Sequence, residues 1–295
     1  MDTAARPDWL AWALAQDRTS RFTDSAGTRV HYAAWNAEDI AKPALLFAHG
    51  FLGHSHWWDF IAPFFTGQHR VFALDFSGMG QSGHRASYSA DCFVDDLAAV
   101  LGAIHVAGAP ASTVIGHSFG GARLLQACAQ IPQAIGHAIV LDSFATFPGD
   151  QPTPYAYSPA PAPTPDRETT LARFRLLPPQ RCEPGLLEHV ARHSLRRVDA
   201  GWTWCFDPAL RQFRPDAIDP ALLGRAEVPV DYVHAEDSAV VSAQRALRIA
   251  GALRRGRGPI TMPRAGHHLM LDQPLALVGV LRALLAGQRP SALPD

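Results

Sequence analysis

Residues 116–120 read Gly-His-Ser-Phe-Gly and contain the clearest nucleophile in this sequence, Ser118. The spacing G-x-S-x-G lies between a short apolar run, residues 113–115, and a helical pattern, residues 120–130. This context is typical of a nucleophile elbow, in which small neighbours let a tight turn lift the serine hydroxyl above a sheet. The N-terminus of the next helix favours the negative charge that develops during attack. We therefore predict that Ser118 is a nucleophile.

A serine hydroxyl needs a base that removes its proton. Two adjacent histidines, His267 and His268, follow Gly266 after a short apolar run at residues 259–262. We predict that His267 is the base, because it directly follows the glycine, and that His268 lines the pocket.

A glycine-bearing loop, residues 49–53, follows the first strong apolar run, residues 44–48. The backbone N–H groups of Phe51 in this loop and of Phe119 after the serine are predicted to bind an oxyanion. Such a donor contributes about 3–4 kcal/mol in a transition state. His56, just after the loop, is expected to serve in capping and packing.

Short apolar runs alternate with helical patterns through most of the chain. This alternation predicts an α/β fold with a mostly parallel, doubly wound sheet. In such sheets the chemistry gathers at the carboxyl ends of the strands. Polar residues stand at or just after five of these predicted ends, namely His49, Asp75, Ser118, Asp142 and His234.

The alternation breaks after Asp142. Residues 148–165 contain seven prolines and predict an extended loop. Helical patterns follow at residues 167–177 and 184–196. We therefore predict a core of residues 1–142 and 226–295, with residues 143–225 as a helical lid. The predicted pocket residues are Gly50, Leu52, His117, Phe144, Trp202, Trp204 and His268.

These motifs together resemble the α/β-hydrolase superfamily, in its branch of lidded serine hydrolases. The resemblance is carried by the loop 49–53, the segment 75–82, the elbow at Ser118 and the segment 266–274. It implies an α/β-hydrolase fold with a helical lid after the sixth strand. It also implies the chain order nucleophile, acid, histidine, so that Asp75, which precedes Ser118, is not catalytic.

The acid departs from the common pattern of that superfamily. The usual place is the loop after the strand that follows the lid, here residues 235–241, where Ser238 takes the position of the acid and Asp237 precedes it. A minority of the superfamily carries the acid one strand earlier, at the place of Asp142. We predict Asp142 and keep Asp237 as the alternative.

The predicted function is that of a carboxylesterase-like serine hydrolase. It would cleave a small or medium ester, thioester or activated C–C bond through an acyl-enzyme, without metal or organic cofactor. Two alternatives use the same residues: a cofactor-free lyase or oxygenase, and a ligand receptor whose triad is slow or vestigial. The predicted partner is a small-molecule substrate.

Composition excludes other classes of function. The 295 residues carry a formal net charge of -1, which lacks the basic footprint of nucleic-acid binding. The sequence shows no membrane-spanning run and no signal peptide, and its four cysteines are scattered, so we expect a cytoplasmic protein. The apolar stretch 7–15 predicts a short helix that packs on the body, with a homodimer through it left open.

Overall fold

The computed structural model describes residues 7–147, 149–150, 162–183, 185–213 and 220–287. Most of the predicted proline-rich loop lies outside these residues. The chain forms a central sheet of eight strands with helices on both faces, and a separate pair of strands. The strands are β1 (Thr19–Ser25), β2 (Thr28–Trp35), β3 (Ala44–Ala48), β4 (Arg70–Leu74), β5 (Ser112–His117), β6 (Ile135–Leu141), β7 (Leu195–Val198), β8 (Gly201–Trp204), β9 (Val230–Ala235) and β10 (Gly256–Met262).

The sheet has the strand order β1-β2-β4-β3-β5-β6-β9-β10. The six strands β4, β3, β5, β6, β9 and β10 pair with their neighbours in parallel. By contrast, β1 pairs with β2, and β2 with β4, in antiparallel register. This arrangement confirms the predicted mostly parallel α/β sheet. The apolar runs do not reveal β1, because most of its residues are exposed or only half-buried.

Helices cover both faces of this sheet. They are α1 (Asp8–Leu14), α2 (Ala90–Ile104), α3 (Phe119–Gln130), α4 (Arg167–Leu171), α5 (Leu186–His193), α6 (Pro220–Arg225), α7 (Ala243–Ala252), α8 (Leu269–Asp272) and α9 (Pro274–Ala286). Short 3₁₀ turns span Ser55–Trp58, Ala62–Phe65, Pro132–Ala134 and Pro208–Gln212. Among the described residues, no helix has both the length and the apolar character needed to cross a membrane.

The fully buried strand β3 shows how the two hydrophobic cores arise. Successive side chains of a strand point to opposite faces. Leu46 therefore packs in one core with α2, α3 and α7, and Leu45 packs in the other with α1 and α9. Burial on both faces explains why such strands read as continuous apolar runs.

The N-terminal helix α1 packs on the body, as the sequence predicts. Leu10 and Ala13 are buried in the core that also contains α9. The Trp12 ring lies 4.9 Å from the ring of Phe64. One face of α1 is therefore buried within the chain, whereas Trp12 stays 44% exposed.

The insertion between β6 and β9 is less helical than predicted. The helix expected over residues 167–177 ends at Leu171, and the one expected over residues 184–196 spans Leu186–His193. The chain then pairs β7 with β8, which places Trp202 and Trp204 on a strand. Backbone hydrogen bonds between Trp202 and Thr164 extend this pairing and use the strand's other edge. These long-range bonds override the helical pattern read from local spacing.

Candidate active site

Four neighbouring strands carry the polar residues of the predicted site. Strands β5, β6, β9 and β10 lie side by side and are parallel, so their carboxyl ends share one edge of the sheet. Ser118 follows β5, Asp142 follows β6 and His267 lies in the loop after β10. The topology thus assembles residues that are 24 to 149 positions apart in the chain.

The turn that carries Ser118 is tight, as the motif predicts. Ser118 has φ 51°, a conformation that L-residues rarely adopt and that is maintained only by its surroundings. A Cβ on Gly116 would lie 2.7 Å from the carbonyl oxygen of Gly120, and one on Gly120 would lie 2.5 Å from that of His49. Only glycine at these positions lets helix α3 begin directly against the ends of β3 and β5.

Ser118, His267 and Asp142 form a continuous hydrogen-bonded chain. The hydroxyl of Ser118 lies 3.0 Å from Nε2 of His267, and Nδ1 of His267 lies 2.7 Å from Oδ2 of Asp142. Asp142 is completely buried and His267 is 4% exposed, whereas Ser118 is half-buried. Because a carboxylate accepts, Nδ1 of His267 donates to it, which leaves Nε2 to accept from the serine hydroxyl.

Of the two acids considered from the sequence, the structure brings only Asp142 to His267. Asp142 has φ 40°, and its backbone N–H donates to the carbonyl of Val233 on the neighbouring strand β9. Asp237 is exposed, and its backbone N–H donates to the carbonyl of Ala265.

Ser238 belongs to this network although the sequence assigns it no role. Its hydroxyl donates to Oδ2 of Asp142 at 2.5 Å and accepts from the backbone N–H groups of Val240 and Val241. The backbone N–H of Ala235 donates to the other oxygen of Asp142 at 3.0 Å. The sequence held a signal for this residue, because Ser238 occupies the position where the superfamily usually carries the acid. Its contact with Asp142, which follows the neighbouring strand, could not be predicted from the sequence because it depends on the tertiary structure.

Two further hydroxyls hold the strand ends together and were also missed. Ser143 donates its hydroxyl to the carbonyl of Ser118 at 2.6 Å, and the phenol of Tyr232 donates to the carbonyl of Ser143. Burial raises the pKa of Tyr232 well above its usual value, and the nearby Asp142 adds to this effect. Tyr232 therefore stays a neutral hydrogen-bond donor.

The loop predicted to bind an oxyanion lies beside the serine. A Cβ on Gly50 would lie 3.5 Å from Cβ of Ser118, so the loop passes directly over the elbow. The rings of Phe51 and Phe119 pack 5.2 Å apart. Phe119 is the first residue of α3, and the first N–H groups of a helix have no acceptor within the helix. Leu52 has φ 57° and packs against the core that contains α3.

His117 and His268 flank the predicted base. The centroids of their rings lie 4.9 and 4.8 Å from that of His267. His117 donates from Nε2 to the carbonyl of His267, and His268 donates from Nε2 to the carbonyl of Leu177. Burial and the neighbouring histidines lower the pKa of His117 well below its usual value, and burial lowers that of His268 to about 3. Both rings are therefore neutral at neutral pH.

These three histidines could also hold a metal ion. One ring nitrogen of each lies within 4.8 Å of those of the other two. An ion there would compete with Ser118 for Nε2 of His267. These histidines could therefore bind an ion only if the hydrogen bond between Ser118 and His267 were broken.

The remaining predicted pocket residues are spread over the insertion. The ring of Phe144 stacks under the guanidinium of Arg245, 4.8 Å away, and that of Trp202 stacks under Arg167, 5.7 Å away. Trp204 is half-buried against the core that contains α3. The structure thus gives each of these aromatic residues a packing partner within the chain.

Phe213, another aromatic residue of the insertion, packs on Phe51 and Phe119. Its ring lies 6.2 Å from that of Phe119 and 6.3 Å from that of Phe51. It therefore packs on both residues whose N–H groups are predicted to bind the oxyanion. The sequence did not predict this contact, and it showed Phe213 only as one of several aromatic residues in the insertion.

The Asp75 carboxylate is buried and bonded to groups outside the predicted triad, and we expected it not to be catalytic because it precedes Ser118. It accepts hydrogen bonds from the backbone N–H of Ser55, from Nδ1 of His31 and from the backbone N–H of Gln81. Despite burial, these donors hold its pKa well below the usual value. This buried carboxylate ties the end of β4 to the 3₁₀ turn Ser55–Trp58, which follows the loop 49–53.

Comparisons with known proteins agree with this architecture. The sequence profile described as "Alpha/beta hydrolase family" matches residues 45–280. A Mycobacterium tuberculosis protein named Esterase Rv0045c is 27% identical over 256 residues, which cover 83% of this chain and 83% of that protein. Epoxide hydrolase 4 of Mus musculus is 35% identical over 127 residues, covering 41% of this chain and 33% of the relative.

Solved structures support the fold. The thioesterase domain from the curacin biosynthetic pathway matches with a TM-score of 0.72 at 19% identity, over 90% of this chain and all of that domain. E-2-(acetamidomethylene)succinate hydrolase matches with a TM-score of 0.73 at 18% identity, over 92% of this chain and 100% of the other. With most of its length matched by the family profile and its sheet arranged in the same way, the chain belongs to the alpha/beta hydrolase family.

Proposed function

We propose that this member of the hydrolase family is a serine hydrolase of the carboxylesterase type, which cleaves small or medium esters or thioesters through an acyl-enzyme. The contact of the Ser118 hydroxyl with Nε2 of His267, whose Nδ1 is held by Asp142, carries this proposal. The similarity to a protein named an esterase supports the same substrate class.

In the proposed reaction, Oγ of Ser118 attacks the carbonyl carbon while Nε2 of His267 takes the hydroxyl proton. The tetrahedral intermediate then collapses, and His267 returns that proton to the leaving oxygen or sulfur. Water repeats the sequence on the acyl-enzyme and releases the acid. Asp142 orients the imidazole and stabilises its charged form, as the acid does in triads of this type.

The N–H groups of Phe51 and Phe119 would stabilise the oxyanion of the tetrahedral intermediate. The adjacency of Gly50 to Ser118 and the packing of the two phenylalanine rings support this pairing. Phe213 would shield the same place from water, which strengthens hydrogen bonds to a developing charge. This apolar cover suits an apolar acyl group.

The partial match to epoxide hydrolase 4 does not change the proposed chemistry. An aspartyl-ester route needs a carboxylate nucleophile, and the residue at the elbow is Ser118. Two alternatives use the same residues. Product analysis separates a cofactor-free lyase or oxygenase from the hydrolase, and absence of labelling and turnover would favour the slow receptor.

The first test is labelling with a fluorophosphonate, alongside turnover of p-nitrophenyl esters of increasing chain length. We expect labelling of the wild type, no labelling of Ser118→Ala, and turnover of short esters. Absence of both labelling and turnover in the folded wild type would contradict the proposal.

A second test assigns the acid. Asp142→Asn should lower kcat by about 10⁴-fold, because the imidazole loses the partner that fixes its tautomer. The matched control, Asp237→Asn, removes an exposed carboxylate and should retain activity. Loss of turnover in Asp237→Asn alone would make our assignment of the acid wrong.

A further inference from the structure

The loop that carries the predicted base has no regular secondary structure of its own. Residues 265–268 lie between β10 and helix α8 and belong to neither a helix nor a strand. Buried backbone N–H and C=O groups need hydrogen-bond partners, and such a loop cannot obtain them from a helix or a sheet ladder. Its shape therefore depends on the groups that bond to its backbone from other parts of the chain.

Two side chains of the core bond to this backbone. Oδ2 of Asp272 accepts from the N–H of Gly266 at 2.6 Å, and Nε2 of His117 donates to the carbonyl of His267 at 2.8 Å. These bonds hold the first part of the loop.

A third side chain reaches the loop from the insertion, 88 positions earlier in the chain. Oε1 of Gln180 accepts from the backbone N–H of His268 at 2.8 Å, and Nε2 of Gln180 donates to the carbonyl of His268 at 3.2 Å. That carbonyl also accepts from the backbone N–H of Leu271. Among the described residues, the N–H of His268 has only Gln180 as an acceptor, so the shorter bond has no substitute.

The ring of His268 adds a further bond to the same segment. Its Nε2 donates to the carbonyl of Leu177 at 3.1 Å. Three hydrogen bonds thus join residues 177–180 of the insertion to the residue that directly follows the predicted base.

The segment that carries Gln180 is fixed to the core on both sides. Leu176 and Leu186 are buried in the hydrophobic core that also contains Leu271 of α8. The backbone N–H of Glu183 donates to the carbonyl of Leu271 at 2.7 Å. The segment is therefore anchored without the amide of Gln180, which leaves that amide to act on the loop.

The amide of Gln180 lies directly against the residue before the base. A Cβ on Gly266 would lie 3.0 Å from Cδ and 3.0 Å from Oε1 of Gln180. This is closer than ordinary van der Waals contact, so glycine at position 266 lets the amide approach the loop.

We propose that Gln180 is a positioning residue for the base: it fixes the backbone of His268 and thereby the orientation of the His267 ring. The inference rests on the proposed role of His267. The two nitrogens of that ring lie 2.7 Å from Asp142 and 3.0 Å from Ser118, so a small rotation of the loop would lengthen a contact on either side. A misplacement of about 1 Å at a reacting group can cost about 10²-fold in rate. The insertion thus contributes a residue to the catalytic arrangement.

Kinetics of Gln180 variants on the full chain test the proposal. Gln180→Ala removes both bonds and should lower kcat on p-nitrophenyl esters by about tenfold or more. The rate of fluorophosphonate labelling should fall by a similar factor. KM should change by less than about twofold, because Gln180 acts on the base and not on the substrate. Gln180→Glu retains an oxygen that accepts from His268 and should recover part of the loss.

The matched control is Arg181→Gln, which changes the next residue of the same segment. Arg181 is exposed, so this variant should keep the wild-type kcat and labelling rate. Gln180→Met keeps the length of the side chain without its hydrogen bonds and should behave as Gln180→Ala does. It decides the question if Gln180→Ala does not fold, as judged by circular dichroism and Tm.

The ring ¹⁵N chemical shifts of His267 test the same inference without turnover. In the wild type they should report a proton on Nδ1, which donates to Asp142. In Gln180→Ala they should move toward a mixture of the two tautomers, whereas Arg181→Gln should keep the wild-type shifts. A residue that only tied the insertion to the core would lower the Tm and leave these shifts in place.

The outcomes separate this proposal from the proposed function. If the wild type neither labels nor turns over esters, the proposed function fails, and the ring shifts alone decide whether Gln180 positions His267. The positioning role is wrong if a folded variant that lacks both bonds keeps the wild-type His267 shifts, or keeps the wild-type kcat in an active enzyme. It is also wrong if Arg181→Gln produces the same changes.

Discussion

At the scale of single residues, the hydroxyl of Ser238 contributes to the placement of the Asp142 carboxylate. Ser238 stands where the superfamily usually carries its acid, and it donates to Asp142, the proposed acid, which follows the neighbouring strand. The carboxylate thus accepts from His267, from Ser238 and from the backbone of Ala235. The departure from the common sequence pattern is therefore compensated by one hydrogen bond across neighbouring strand ends.

Ser238→Ala should lower kcat on p-nitrophenyl esters by roughly tenfold with little change in KM. A hydrogen bond to a charged group contributes about 1.5–3 kcal/mol, and this one orients Asp142 rather than touching substrate. Ser238→Thr retains a hydroxyl and should recover most of the loss. An unchanged kcat in Ser238→Ala would show that the backbone holds Asp142 by itself.

Asp272 gives a prediction for stability against pH. Its Oδ2 accepts from the backbone N–H of Gly266 at 2.6 Å, but burial raises its pKa from 3.8 to about 6. The folded protein therefore holds this proton between about pH 4 and 6 while the unfolded chain releases it, so stability falls as the pH rises through this window.

Asp272→Asn removes that titration and keeps an acceptor for Gly266. Its Tm relative to the wild type should be higher at pH 8 and should converge on the wild type near pH 4. Thermal unfolding from pH 4 to 8 measures this, with Asp95→Asn, an exposed carboxylate of α2, as the control. A Tm difference that does not vary with pH would contradict the stated role of Asp272.

At the scale of elements, the start of α3 is positioned by the absence of a side chain. A Cβ on Gly120 would lie 2.5 Å from the carbonyl oxygen of His49 and 2.7 Å from that of Ala48. Both are backbone atoms at the end of β3, so neither can rotate away. The Ser118 turn and the loop 49–53 can approach each other only because residue 120 is glycine.

Gly120→Ala should lower the free energy of unfolding by about 1–3 kcal/mol, since it overpacks a close contact. It should also lower the proposed turnover of p-nitrophenyl esters, because the loop 49–53 must move. Gly102→Ala is the matched control, since nothing lies within 4 Å of its Cβ in helix α2, and it should stabilise by about 0.5–1 kcal/mol. Urea denaturation of both variants tests this, and equal effects would refute the steric argument.

At the scale of the whole molecule, the insertion docks on the core through polar contacts as well as aromatic ones. The phenol of Tyr88 donates to Oδ2 of Asp207 at 2.7 Å, and the backbone N–H of Asp207 donates to the carbonyl of Gly78 at 2.7 Å. An isolated bridge joins Met79 to Phe206. These contacts hold the segment that leads to Phe213 above the site.

Tyr88→Phe should loosen this docking while its ring stays stacked on Phe93. The loss of one hydrogen bond, about 1 kcal/mol, should increase proteolysis within residues 162–213 by about fivefold. Asp207→Asn keeps an acceptor oxygen and should change the rate less. Rates measured by mass spectrometry would contradict the docking role if cleavage of the insertion did not change, or if cleavage of the core rose equally.

The sequence by itself determined the alternation of strands and helices, the elbow, and the segments that bear the predicted nucleophile and base. These are local patterns. A strand that is buried on both faces consists of consecutive apolar residues, and a tight turn requires glycine within a few residues of the serine. It did not determine whether Asp142 or Asp237 meets His267, or that Ser238 contacts Asp142. Each of these depends on which strand ends and helices become neighbours in space. Only the tertiary structure decides that, since pairing across 90 or more residues leaves no periodic trace in the chain.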